Sequence, residues 1–218
     1  MSQRCISFEG GLRMSEMKPA QKTLQIQLAG VGGQGIISVG RLLLAVGQDN
    51  GFEVKGNETH GMSQRGGSVV FQVRIGNFKG VLIPDGEADV ILATEPMEAV
   101  RNLNILKKGG IIITDTHHVI PAIANVLDKP YPDDELLYQT MKKKTDKIYK
   151  VPAREIAERI GNIKGANLVL LGALVEITKF FDPLAFEKRI AEKWPKVKEK
   201  NLEAFRKGME FAMKLKLQ

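Results

Sequence analysis

The stretch Thr23-Leu-Gln-Ile-Gln-Leu-Ala-Gly-Val-Gly-Gly-Gln-Gly35 decides how this chain folds. Leu24, Ile26 and Leu28 alternate with polar residues, which predicts a strand over Thr23–Ala29. Gly30, Gly32 and Gly35 follow in G-x-G-x-x-G spacing, with Gly33 and Gln34 between them. Ile36 to Gln48 then places Leu42, Leu43 and Val46 at helical spacing, and Gly51 precedes a second strand candidate, Phe52–Lys55. This order is a βαβ opening, which predicts a parallel sheet with a right-handed crossover.

Further on, 56–67 reads as a polar, glycine-bearing loop. In Ser68–Ile75 one face carries Val69, Phe71, Val73 and Ile75, and the other carries Gln72 and Arg74. That alternation predicts a strand solvated on one side. Gly76-Asn77 predicts a turn that pairs it with Val81-Leu82-Ile83 as a hairpin. Ala88–Ala93 and Ile111–Thr114 read as buried strands. Between them a helix is expected to start at Pro96, continue over Met97–Leu106 and end at Gly109-Gly110. Asp133 is a candidate cap for a short helix to Lys143, and Lys147–Val151 a further strand. Ala153–Ile160, Ala166–Thr178, a helix opened by Asp182-Pro183 and ending near Pro195, and Lys198–Leu215 complete the pattern. The expected fold is α/β: a doubly wound, mostly parallel Rossmann-like sheet with a β-hairpin insertion and a C-terminal helical cap. Residues 23–218 are expected to form one domain, and residues 1–22 a leader whose Met14 and Met17 offer alternative starts.

Composition narrows the function. The 218 residues are 43% hydrophobic and 26% charged, ordinary for a folded soluble protein. The single cysteine, Cys5, excludes disulfides, Cys-ligated zinc and an iron–sulfur cluster within this chain, and fits a reducing cytoplasm. The longest apolar run, Leu168–Val175, is far short of the roughly 20 residues of a membrane helix, so no membrane is expected. The net charge of +7 concentrates in Lys142–Lys150 and Lys188–Lys216, interspersed in the latter with Glu residues, as on a solvated helix face. Nucleic acid is therefore not an expected partner.

The glycine turn frees backbone N–H groups at a helix start, where an anion is favoured. Three readings stay open: a turn that needs glycine for packing, a phosphate- or CoA-type anion site, and a dinucleotide site. The ribose-binding acid expected after the second strand is missing, since Lys55 and Gly56 stand there; Glu58 lies near the right spacing but in the loop. That second loop, Gly56-Asn-Glu-Thr-His-Gly-Met-Ser-Gln-Arg-Gly-Gly67, crowds polar chemistry at the expected carboxyl end of the sheet. Arg65 could clamp a phosphate or carboxylate, and His60 could shuttle a proton. His60, Gln64 and Arg65 are the catalytic candidates. Ser63, Gly66 and Gly67 join Gly30, Gly32, Gly33, Gln34 and Gly35 as binding candidates. The alternative for this loop is an ordered interface whose polar groups satisfy one another. Asp115 with His117 and His118 invites a metal reading, but lacks a third convincing spacing.

Taken in order, Gly30-Val-Gly-Gly-Gln-Gly35 and Glu58-Thr-His-Gly-Met-Ser-Gln-Arg-Gly-Gly67 resemble the paired signature of the gamma-type domain of 2-oxoacid:ferredoxin oxidoreductases. Ile83-Pro-Asp-Gly-Glu-Ala-Asp-Val90, Glu95-Pro-Met-Glu-Ala99 and Asn201-Leu-Glu-Ala-Phe205 extend the resemblance over Leu24–Phe211. The His-Gly-Met-Ser-Gln-Arg form is similar to the beta subunit of the indolepyruvate type. The resemblance implies an accessory subunit of a complex that oxidatively decarboxylates an arylpyruvate to an acyl-CoA and passes electrons to ferredoxin. It implies a large alpha partner holding thiamine diphosphate, Mg and 4Fe-4S clusters, with CoA as co-substrate. No cofactor is expected on this chain, which is expected to be inactive alone and to complete the active-site and CoA cleft of its partner. A free-standing dinucleotide-binding oxidoreductase is the competing expectation.

Overall fold

Leu24–Val31 forms β1, buried along nearly its whole length because it lies in the middle of a six-stranded sheet. The structure, a computed structural model, describes residues 22–60, 67–119 and 131–215. After β1 come α1 (Ile36–Asp49), β2 (Val54–His60), β3 (Ser68–Ile75), β4 (Ala88–Ala93), α2 (Pro96–Arg101) and β5 (Leu106–Asp115). Then follow α3 (Asp134–Lys142), β6 (Ile148–Val151), α4 (Ala153–Arg159), α5 (Ala166–Thr178), α6 (Pro183–Lys193) and α7 (Lys198–Leu215). The sheet order is β2-β3-β1-β4-β5-β6, and only β3 runs against the rest.

One face carries the main core. Ile26, Leu28, Phe71, Val73, Leu92 and Ile113 meet α1, α5, α6 and α7 there. The other face holds a smaller cluster, in which Ile91, Ala93 and Ile112 pack with Ala99 of α2 and with Tyr138 and Met141 of α3. The expected doubly wound, mostly parallel α/β architecture with helices gathered at the C-terminus is thus the observed one.

Within it, several local expectations fail for identifiable reasons. The second strand is Val54–His60 rather than Phe52–Lys55, and Gly56 to Thr59 are ladder residues rather than loop. β3 offers a complete antiparallel partner from Val54↔Ile75 to His60↔Val69, and an edge strand tolerates polar side chains. The hairpin is therefore β2–β3. Val81 and Leu82 are exposed and form no strand, while the Ile83 N–H donates to the Gln72 side chain. Nor is the second face of β3 solvated. Gln72 and Arg74 are each 8% exposed, and Arg74 donates to the Gly80 and Leu82 carbonyls, so residues 76–83 fold over that face. Finally, α2 stops at Arg101, and Gly109-Gly110 lie inside β5 instead of ending a helix.

Elsewhere the caps set the boundaries as read. The Asp133 carboxylate accepts from Leu136 N (2.8 Å), and Asp182 accepts from Leu184 N (2.9 Å) with Pro183 behind it. α5 is apolar almost all round and buried for nearly its whole length. α7 meets it backbone to backbone. A β-carbon at Gly172 would overlap the Phe205 carbonyl, and one at Gly208 the Val169 carbonyl. Gly208→Ala must force these helices apart, and overpacking of this kind typically costs about 1–3 kcal/mol. Urea unfolding should show that loss; a change under about 0.5 kcal/mol, the scale of a neutral surface substitution, would mean the helices separate freely.

Candidate functional site

The β1–α1 turn is built by close approach. A β-carbon on Gly30 would strike the Thr94 hydroxyl and Ile36. Gly35, the residue before α1, is left-handed (φ 78°, ψ 20°), and a β-carbon there would also meet the Asn167 amide. Gln34 turns back on its own loop, where its side-chain oxygen accepts from Val31 N (2.8 Å) and from the Thr94 hydroxyl. Its acceptor is thus committed to shaping the turn. Asn167, at the start of α5, donates to the Gly35 carbonyl (3.2 Å) and fastens the turn to the helical layer.

This turn borders a cleft of about 350 Å³ at the carboxyl ends of the parallel strands. From β1 the chain leaves to one face through α1, and from β4 to the other through α2, which opens a crevice where ligands bind in folds of this type. Gly33 and Gly35 line one side; Asp115, His117, Arg154 and Lys164 line the other. The starts of α1 and α5 reach the same space, with their positive dipole ends and first N–H groups. Lys164, Arg154 (which also pairs with Glu158, 3.1 Å) and two helix starts make the cleft suited to an anion.

Asp115 closes the far wall. Its carboxylate accepts from His117 N (3.2 Å), Ala153 N (3.1 Å) and Arg154 N (3.2 Å), so it caps α4 from a different strand and seats Arg154 at the cleft. Burial pushes this carboxyl up to about 6, against the pull of its backbone donors. Burial, and then Arg154, hold the His117 imidazole below its ordinary range.

The structure brings Gly30, Gly32, Gly33, Gln34 and Gly35 to the cleft end and places Gly67 beside them. Gly32 N donates to the Gly67 carbonyl (2.8 Å). His60 ends β2 at the same end of the sheet. Residues 61–66, with Ser63, Gln64, Arg65 and Gly66, lie outside the described residues. Glu58 is on β2, paired with Arg41 of α1 (3.5 Å). Because β3 stands between β1 and β2, the end of β2 is two strand spacings from β1, about 10 Å, a poor place for a ribose-binding acid.

Two of the three groups in the metal reading of Asp115, His117 and His118 have other partners. Asp115 is committed to backbone donors, and His118 pairs with Asp134 (2.7 Å) and lies against Tyr131. Among the described residues no three such side chains gather. Glu95 caps α2 by accepting from Glu98 N (3.0 Å), and burial raises its carboxyl. Arg154, Lys164 and Asn167 were not foreseen. Nothing local marks them: Arg154 is at the start of α4, Asn167 at the start of α5 and Lys164 in the short 3-10 turn Ile163–Gly165 between them, yet all three meet a turn some 120 to 130 residues earlier in the chain.

Known proteins resemble this arrangement. The sequence profile of the pyruvate ferredoxin/flavodoxin oxidoreductase family matches residues 25–211. The chain is similar to indolepyruvate oxidoreductase subunit IorB of Thermococcus kodakarensis, with 38% identity over 201 residues, covering 89% of this chain and 98% of that one. It is 39% identical to IorB of Archaeoglobus fulgidus over 151 residues, 69% of this chain and 75% of the relative. The pyruvate oxidoreductase subunit PORC of Thermotoga maritima superposes with a TM-score of 0.66 at 25% identity, covering 87% of this chain and 97% of that one. The 2-oxoglutarate:ferredoxin oxidoreductase of Magnetococcus marinus, solved with 2-oxoglutarate, coenzyme A and succinyl-CoA bound, gives 0.67 at 27% identity. Its match covers 89% of this chain and 32% of that longer one.

Asp115 makes stability depend on pH. With its carboxyl near 6 in the folded chain and near 3.8 when unfolded, the folded state binds the extra proton between those values. Its contribution to stability therefore falls as pH rises from about 4 to about 6, and is level above about 7. Relative to Asp115→Asn, the wild type should lose on the order of 2 kcal/mol between pH 4 and pH 7. Urea unfolding of both proteins at the two pH values measures it, and parallel pH profiles would refute it.

Proposed function

The chain belongs to the pyruvate ferredoxin/flavodoxin oxidoreductase family, and from that premise we propose that it is the accessory subunit of a 2-oxoacid:ferredoxin oxidoreductase acting on arylpyruvates such as indolepyruvate. Its role is to complete the cleft that receives CoA. The observation that carries this reading is the meeting of the two loop ends, Gly32 on Gly67, beside an anion-suited cleft bearing Arg154 and Lys164. Phosphates of CoA fit two cations and two helix starts. Residues 23–218 form the one gamma-type domain of this reading, and His60, Ser63, Gln64, Arg65 and Gly66 are its candidates for acting on substrate or partner.

Thiamine diphosphate, magnesium and 4Fe-4S clusters do not fit this chain's own residues. Its one cysteine is Cys5, and the sequence has no Gly-Asp-Gly followed by an Asn-Asn pair to hold a metal diphosphate. In this reading those groups belong to a large partner subunit, which decarboxylates the 2-oxoacid and passes electrons to ferredoxin. This chain supplies binding and orientation. Among the described residues no helix is long and apolar enough to cross a membrane, which suits a cytoplasmic complex. The rival reading, a free-standing dinucleotide enzyme, is disfavoured by β3 standing where the ribose acid would need to approach.

The test is reconstitution. Co-expressed with its large partner, the chain should support 2-oxoacid- and CoA-dependent reduction of a viologen dye, while neither subunit alone turns over. Equal activity of the large subunit without this chain would overturn the proposal. In the active complex, Arg154→Ala should raise KM for CoA about tenfold with kcat little changed, the scale of one charge-assisted hydrogen bond. An unchanged KM would remove Arg154 from the CoA site.

A further inference from the structure

Glu98 is 2% exposed, yet it does not line the cleft. One of its carboxylate oxygens accepts from the Ser68 hydroxyl (2.5 Å), the other from Arg101 (2.6 Å). Helix α2 does not need this carboxylate as its cap, because Glu95 already accepts the N–H of Glu98 itself. Burying a carboxylate is costly unless its partners require it, and an apolar residue of the same length would be the cheaper occupant. What the acid holds is therefore informative. Ser68 opens β3 opposite Val31, and the carbonyl of its neighbour Gly67 accepts the N–H of Gly32. A line of bonded groups thus runs from Glu98 through Ser68 and Gly67 to the glycine turn. Four residues before Glu98, the Thr94 hydroxyl holds the same turn through Gln34. Both holds come from the junction of β4 and α2.

We propose that Glu98 is a positioning residue: through Ser68 it fixes the Gly67 carbonyl, and so the glycine turn that walls the cleft, without touching a ligand. The functional consequence rests on the reading that the cleft takes CoA. The geometric claim does not.

Two measurements separate them. Glu98→Met keeps the side-chain length and removes both acceptors; Ser68→Ala removes the donor from the other end. Amide hydrogen exchange in the full-length chain should show at least tenfold faster exchange at Gly32 in either variant. Amides in the middle of β1 should stay unchanged. The double variant should be no worse than the worse single one, because the two residues act on one bond. Glu98→Gln retains a partner for Ser68 and should restore most of the protection. In the reconstituted complex, Kd for coenzyme A should rise about three- to tenfold in Glu98→Met and Ser68→Ala, less than the loss of a direct charged contact. Unchanged Gly32 exchange overturns the proposal whatever CoA does. Faster exchange with unaltered CoA affinity, in a wild-type complex that binds CoA, overturns its functional half. If the wild-type complex binds no CoA, the cleft reading fails and the exchange result alone decides the role of Glu98.

Discussion

β3 runs against five strands that share one direction, and it occupies the place beside β1 that a simple parallel crossover would give to β2. The meeting of Gly67 with the glycine turn follows from that insertion. Because β3 begins opposite the end of β1, Ser68 lies against Val31, and the loop arriving from β2 must finish beside the glycine turn. The Gly32–Gly67 hydrogen bond then becomes available at almost no added cost in chain ordering. The same insertion moves β2 to the edge and takes its carboxyl end away from the cleft, so a dinucleotide motif at β1 lacks its usual second half.

The segment that follows β3 explains the polar layer on the second face. Residues 76–83 fold over the second face of β3, so Gln72 and Arg74 are withdrawn from water. Gln72 donates to Gln27 (3.1 Å), which donates to Asn102 (2.7 Å), and Gln25 donates to the Glu87 carbonyl (2.9 Å). Arg74 reaches two backbone carbonyls, with the Phe78 ring 4.1 Å away. Backbone groups of a connecting segment without regular structure thus find partners in side chains that also need them. Period-two alternation reported the strand correctly. It mistook the second environment, because a solvated face and a face buried under a polar strap have the same residue pattern.

How much was legible follows from where each constraint resides. α5, α6 and α7 were read to within a residue or two because caps and periodicity are local. β2 was read short because Gly56, Asn57 and Thr59 have loop-like chemistry, and only pairing with β3 makes them a strand. α2 was read long because Leu103, Ile105 and Leu106 continue an apolar period, while the chain turns after Arg101 to start β5. In the site, the glycine turn was legible since its spacing is its mechanism. Arg154, Lys164 and Asn167 were not, because their meaning depends on the starts of α4 and α5, and the short 163–165 turn between these helices, converging on that distant turn.

Buried acids show where the fold gives up stability for geometry. Glu95, Glu98, Asp115 and Glu176 are the buried carboxylates among the described residues, and the first three stand at the carboxyl ends of β4 and β5 or on the helix that follows. Each takes donors from a helix start or from the base of a loop, and burial raises the carboxyls of Glu95 and Asp115. At the amino ends of these strands the sheet is trimmed with solvated lysines such as Lys107 and Lys108. Glu95 and Asp115 accept helix-start N–H groups that an apolar side chain would leave unpaired, whereas Glu98 bonds only side chains and is the acid whose volume an apolar residue would fill at lower cost. Local rules yield where a surface must be placed rather than merely formed.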